Sequence, residues 1–267
     1  TTMIARFHGM VTLLNYVQNI VIYMVLAFIY SVTAVVYPKL TASFTRGDMV
    51  DYKATLAGVL ESTAALLVPI TFGFITVRRP LLELIANYGK ITPADTDRAC
   101  TLVVMYSIGI LGVGLKEILD RAFYAAKNTM LPAVNGFIIM AVNVTLSLVL
   151  TRFIGAYGIP LAYSTASLVG LCVLLALLRR KIGVFAKGLG TTLVKCLAAA
   201  LVMAGAVLAV NAGLDAAFAS ASVPARLVKL AAPACVGVLV YGVMALVLRV
   251  NAVKPVLAKL KSLVHRA

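Results

Sequence analysis

A charged side chain inside a long apolar stretch is the first place this sequence could do chemistry. An uncompensated charge at mid-bilayer costs about 2.5–3.5 kcal/mol on the insertion scale, so such residues are kept where something satisfies them. Glu61 stands well inside an apolar run. Facing a hydrated cavity, its carboxylate could bind a cation or a proton; otherwise Ser62, Thr63 or a water satisfies it, and the cost of lipid exposure favours the cavity. Lys116, Glu117, Asp120 and Arg121 form two i,i+4 pairs of opposite charge. They read as a neutralising ladder along one helix, with headgroup or phosphate binding by Lys116 and Arg121 as the functional alternative. Gln18 and Asn19, with Asn15 and Tyr16, and the i,i+4 pair Asn143 and Ser147 supply uncharged polar groups. Hydrogen bonding between helices is the default role of such residues in apolar segments.

Nothing in the pattern points to catalysis. His8 and His265 have no carboxylate or cysteine near them in sequence, and no G-x-S-x-G, Walker loop or H-E-x-x-H occurs. Cys100, Cys172, Cys196 and Cys235 stand alone, so neither a metal site nor a disulfide is expected. The reading is a non-enzyme that needs no cofactor.

The elements that must carry these residues are set by composition. Of 267 residues, 62% are hydrophobic and 12% charged, with mean hydropathy +1.03. A soluble domain is about 45–50% apolar and about 25% charged, and could not hide this much apolar surface. An all-α polytopic membrane protein fits. Seven segments can each span about 30 Å of hydrocarbon, over approximately 13–44, 52–77, 99–126, 131–153, 157–178, 192–212 and 226–248. They do not alternate as barrel strands do. Residues 1–12 read as a segment before the first helix. Residues 78–98 read as an interfacial loop, Pro-broken at Pro80, in which Thr92 caps and Pro93 opens the next helix. Residues 251–267 form a basic amphipathic tail suited to anionic headgroups.

The net charge of +15 comes from short clusters between the apolar runs, which argues for membrane loops and against nucleic acid. Numbering the connections alternately puts sixteen of the 24 Lys+Arg on the side of Arg46, Lys127 and Arg179, and eight on the other. The richer side is expected to be cytoplasmic, which places the C-terminus inside. The chain opens Thr1-Thr2 with no signal-peptide pattern, and sequence upstream is expected.

Three stretches carry a family resemblance. They are Leu14-Asn15-Tyr16 through Tyr37-Pro38-Lys39-Leu40 to Phe44; Leu81 to Asp97, centred on Tyr88-Gly89-Lys90; and Arg121-Ala122-Phe123-Tyr124-Ala125-Ala126-Lys127-Asn128-Thr129 with Pro132. Together they resemble the MurJ/MviN lipid II flippases of the multidrug/oligosaccharidyl-lipid/polysaccharide (MOP) exporter superfamily. The resemblance implies a two-lobed transporter with a final helix pair. Residues 13–182 would be the second lobe, and 183–250 the final pair lining a lipid groove. The missing N-terminal lobe of the same protein would complete it. It implies alternating access and, as partners, polyprenyl-diphosphate-linked lipid II and the lipids of the bacterial cytoplasmic membrane. Gln18, Asn19, Glu61, Lys116 and Arg121 become candidates for the substrate cavity. Asn19 stands where family members carry a cavity arginine. Asn143, Ser147 and Tyr163 fall at the places of a sodium site, with Ser147 replacing its acid, so the coupling ion is either sodium or a proton. The alternatives are another MOP transporter, a drug/cation antiporter or polysaccharide-unit flippase, and a membrane-embedded enzyme or scaffold.

Overall fold

In the computed structural model the described residues are 2–86, 93–183, 188–217 and 223–250. All of their regular structure is helical. Helix α1 (Thr2–Gln18) runs through a π turn (Asn19–Tyr23) into α2 (Met24–Thr45), making one rod. Then come α3 (Met49–Ala86), α4 (Pro93–Ala125), α5 (Met130–Ile154), a 3-10 turn (Gly155–Tyr157), α6 (Gly158–Ile182), α7 (Leu189–Ala217) and α8 (Val223–Val247). The seven rods match the seven apolar segments one for one. By length and composition six stretches can cross a membrane, one of them Met130–Ile182, in which α5 and α6 pack against each other across the 3-10 turn.

Two boundaries differ from the sequence reading. Residues 2–12 are not a separate segment before the first helix but its first turns, since nothing in Met3 to Thr12 breaks a helix. Residues 78–86 and 93–98, read as loop, are helical, and Pro80 lies inside α3. At roughly 1.5 Å per residue the 38 residues of α3 reach about 57 Å, well past a hydrocarbon core of about 30 Å. Thr92, Tyr88-Gly89-Lys90 and the basic tail 251–267 lie outside the described residues.

The reason α3 survives its prolines is tertiary. A helical proline leaves the carbonyl four residues back without its N–H. Pro69 frees the carbonyl of Ala65, and the Tyr241 hydroxyl of α8 donates to it at 2.6 Å. Pro80 frees the carbonyl of Thr76, and the Asn211 amide of α7 donates to it at 3.1 Å. Both carbonyls orphaned by proline in α3 are thus closed by the C-terminal helix pair, which packs on α3. A free carbonyl in hydrocarbon costs several kcal/mol, so these two bonds stabilise the helix and its docking together.

Helix α4 is the hub, in contact with α1, α2, α3 and α6, while α5 packs on α6. Its approach to α6 is backbone to backbone. A Cβ on Gly109 would stand 2.9 Å from the Cα of Ser164, and one on Gly112 would stand 2.8 Å from the backbone of Ser167 and Leu168. The Ser164 hydroxyl donates to the Met105 carbonyl at 2.6 Å across this seam. At the helix ends that carry Thr45, Ala125 and Val247, called here the basic end, buried Tyr52 donates to the Ala122 carbonyl at 2.7 Å and meets Phe44 edge-on. The chain leaves the helix there at Gly47, Lys127 and Arg249, each in the left-handed region. Each of these turns returns two N–H groups to the last carbonyls of the preceding helix. Asn128 then caps α5 by accepting the Leu131 N–H at 3.2 Å.

Gly112→Val should abolish accumulation of folded protein, whereas Gly136→Val, with nothing within 4 Å of its Cβ, should leave it intact by size-exclusion chromatography in detergent. Tyr241→Phe should lower stability by about 1 kcal/mol. On a Pro69→Ala background, where the helix supplies its own N–H, it should lower it by much less; a double-mutant cycle of thermal midpoints reads the difference. Equal costs on both backgrounds would refute the carbonyl cap.

Candidate functional site

The polar residues singled out in the sequence are carried on several helices, α1 and the π turn, α3, α4, α5 and α6. Gln18 closes α1 and Asn19 opens the π turn, half-buried and exposed respectively. A π turn widens the helix by one residue and re-aims the side chains of the next turns. Asn15, Asn19 and Tyr23 all lie on exposed ground here. Tyr163 of α6 meets Tyr106 of α4 edge-on at 5.9 Å, and Tyr23 and Tyr30, from the π turn and α2, lie within electrostatic reach of it. The result is a tyrosine-rich face shared by α2, α4 and α6. Asn143 and Ser147 are on α5, which packs on α6, and the Ser147 hydroxyl donates to the Asn143 amide oxygen at 3.2 Å.

Glu61 is on α3. Its carboxylate lies against Gly188, whose carbonyl accepts the first hydrogen bond of α7 from Thr192 at 2.8 Å. The N-terminal end of a helix carries partial positive charge, which favours an anion there. This local partner, rather than Ser62 or Thr63, accounts for an acid inside α3.

The α4 ladder forms as its spacing predicts. Lys116 pairs with Asp120 at 2.5 Å and Arg121 with Glu117 at 2.9 Å. Both cations are committed to carboxylates on their own helix, so the cluster is neutral within itself. Asp120 Oδ1 and Arg121 Nε are buried without a partner among the described residues.

Two cavities sit where α7 and α8 meet α3. The first is an apolar groove of about 310 Å³, lined by Pro69, Gly73, Thr76, Met203, Gly237 and Tyr241 among others. Its neighbour, of about 410 Å³, is polar and lined by Arg78, Arg79, Glu83, Asn211 and Lys229, and shares Thr76 with the groove. Neither is lined by Gln18, Asn19, Glu61, Lys116 or Arg121. The sequence reading placed a groove on the final helix pair but missed that α3 forms its other wall. The available signal was Pro69 and Pro80, eleven residues and so about three helical turns apart, which put their freed carbonyls on one face.

A bundle of long apolar helices enclosing an apolar groove defines a polytopic α-helical membrane protein. Within that class the family model described as "Lipid II flippase MurJ" matches residues 1–229, and the chain belongs to that family. It is 29% identical over 120 residues to a probable lipid II flippase MurJ of Thermotoga maritima, a match covering 45% of this chain and 25% of that protein. It is 27% identical over 202 residues to a lipid II flippase MurJ of Burkholderia cenocepacia, covering 74% and 38%. A solved structure described as "Lipid II flippase MurJ, inward closed conformation" superposes with a TM-score of 0.72 at 21% identity. It covers 90% of this chain and 47% of that one, and shows the fold. The chain therefore spans less than half the length of the relatives it matches.

Glu61→Gln should lower stability by about 0.5–1 kcal/mol through loss of the charge at the α7 terminus, and Glu61→Lys by more. The thermal midpoint in detergent checks this; an unchanged midpoint for Glu61→Lys would remove the helix-terminus role.

Proposed function

We propose that the chain is the second lobe and final helix pair of a transporter that flips polyprenyl-diphosphate-linked lipid II across the bacterial cytoplasmic membrane. The observation that carries this reading is the family match over residues 1–229. The groove between α3, α7 and α8 fits it, since a polyprenyl chain needs an apolar path beside the headgroup's route. So do the exposed Asn15, Asn19 and Tyr23 at and before the π turn, with Gln18 half-buried beside them, which suit a hydrated cavity shared with a first lobe.

The proposed mechanism is alternating access, one lobe rocking on the other. The headgroup crosses in the cavity, and the chain follows in the groove. Because Lys116 and Arg121 are neutralised by Asp120 and Glu117, diphosphate-binding charge is assigned to the first lobe. The chain itself transports rather than catalyses, and sodium or a proton drives it, with Asn143 and Ser147 as remnants of a cation site. The basic end faces the cytoplasm, by the excess of Lys and Arg there. The C-terminus is then inside.

Depletion–complementation of cell-wall synthesis tests the two-lobe reading. Residues 1–267 alone should fail to restore growth, and should restore it when the first lobe is supplied as a second chain. Growth from residues 1–267 alone would overturn it. In the same cells a single cysteine at Arg46 should be shielded from an impermeant label and one at Asp95 should react; the reverse would overturn the orientation.

A further inference from the structure

Tyrosine recurs along the first rod at Tyr16, Tyr23, Tyr30 and Tyr37, each seven residues after the last. Seven residues are nearly two helical turns, so past the π turn the repeat keeps to one side of α2. Tyr23 and Tyr30 are 54% and 48% exposed, while Val25 and Ile29 turn another side of the rod into the bundle. Tyrosine in a membrane protein usually anchors at the two interfaces. Tyr23 and Tyr30 instead lie at least fourteen residues, roughly 21 Å, inside either end of the Gly9–Thr45 span. Neither hydroxyl makes a hydrogen bond among the described residues. Two more tyrosines join them from other helices. Half-buried Tyr163 of α6 is within electrostatic reach of both, and Tyr106 of α4, which meets Tyr163 edge-on, is within reach of Tyr23. Asn15 and Asn19 are exposed at four-residue steps before Tyr23, and no Lys, Arg, Asp or Glu occurs between His8 and Lys39.

Flat rings with free phenolic hydroxyls, flanked by carboxamides and without charge, are complementary to a neutral sugar. The C–H faces of a hexose stack on aromatic rings, and its hydroxyl and acetamido groups exchange hydrogen bonds with phenols and amides. An acyl chain on the same face would leave these hydroxyls unmet in hydrocarbon. We infer that Tyr23, Tyr30 and Tyr163 form a stacking platform for the hexose rings of a lipid-linked glycan headgroup, with Asn15 and Asn19 binding the polar substituents of the sugars. Along the helix axis Tyr23 and Tyr30 stand about 10 Å apart, the length of a disaccharide. Buried Tyr106, edge-on to Tyr163 at 5.9 Å, is a positioning residue that sets the plane of that ring. The π turn, wider by one residue than an α turn, lets the steps from Asn15 through Asn19 to Tyr23 keep to this face. The inference rests on the lipid-linked substrate proposed above and adds to it what holds the sugars, a role separate from the diphosphate-binding charge assigned to the first lobe.

The test is saturation-transfer NMR on the full-length protein in phosphatidylcholine nanodiscs, with N,N′-diacetylchitobiose as the probe and the aromatic protons irradiated. This soluble disaccharide carries two N-acetylated hexosamine rings and no lipid or phosphate. Saturation should reach its ring C–H protons. Tyr23→Ala and Tyr30→Ala should each weaken binding about fivefold, and Asn19→Leu should weaken it as well. Tyr30→Phe, which keeps the ring, should retain most of the transfer. Tyr124→Ala, exposed near the basic end of α4, should leave binding unchanged. Each variant is first matched to wild type by its elution volume, and the Tyr30 pair carries the test if Tyr23→Ala does not fold. Three results would overturn the platform: no transfer to the disaccharide in the wild type, transfer that survives both alanine substitutions, or an equal loss in Tyr124→Ala. Complementation by the paired lobes reads the flippase assignment separately. Growth without saturation transfer overturns the platform and leaves that assignment, whereas saturation transfer without growth overturns the assignment and leaves a sugar-binding face.

Discussion

Two hydrogen bonds to proline-freed carbonyls hold this architecture in register. A helix that crosses hydrocarbon must satisfy every backbone group internally or through a neighbour. Helix α3 breaks that rule twice, at Ala65 and Thr76, and is repaired by Tyr241 and Asn211 from the final helix pair. Because the two donors come from different helices, α7 and α8 cannot shift along α3 without losing one of them. The groove exists because of this arrangement. Pro69, Thr76 and Tyr241, which make the contacts, also line its wall.

Elsewhere the bundle depends on small residues rather than polar ones. No hydrophobic force draws helices together in lipid, so close packing must do so. Gly109 and Gly112 let α4 and α6 touch through their backbones, and Ser164 adds a hydrogen bond to the Met105 carbonyl. This leaves α4 rigidly placed, with the ion-pair ladder near its basic end and Tyr106 on the face it shares with α2 and α6. The stiff seam and the docked pair are different kinds of joint. One is dispersion over a long contact, and the other is two directional bonds beside an open groove.

Electrostatics in the chain are mostly local. The ladder neutralises itself within α4, and Glu61 finds the positive end of α7. Arg79 ties α3 to α4 outside the apolar region. A further concentration of charge is the excess of basic residues at the end of the helices that carries Thr45, Ala125 and Val247, which is a topological signal.

The seven helices, their order and the pairing of the ladder were legible in the sequence, because each depends on local composition and on spacing along one helix. Membrane segments declare themselves by length and apolarity, and Lys116/Asp120 and Glu117/Arg121 by the i,i+4 rule. Helix ends were less legible. Pro80 looked like a break because the donor that rescues it, Asn211, lies 135 residues along the chain from the Thr76 carbonyl it closes. The neighbour of Glu61 at Gly188 was hidden for the same reason, since it comes from another helix terminus. The wall that α3 gives to the groove, and the meeting of Arg78 with Lys229 in the polar pocket beside it, were decided only by tertiary structure. Sequence determines what a single helix can satisfy within itself; which neighbour supplies the missing donor or charge is settled only when the helices pack.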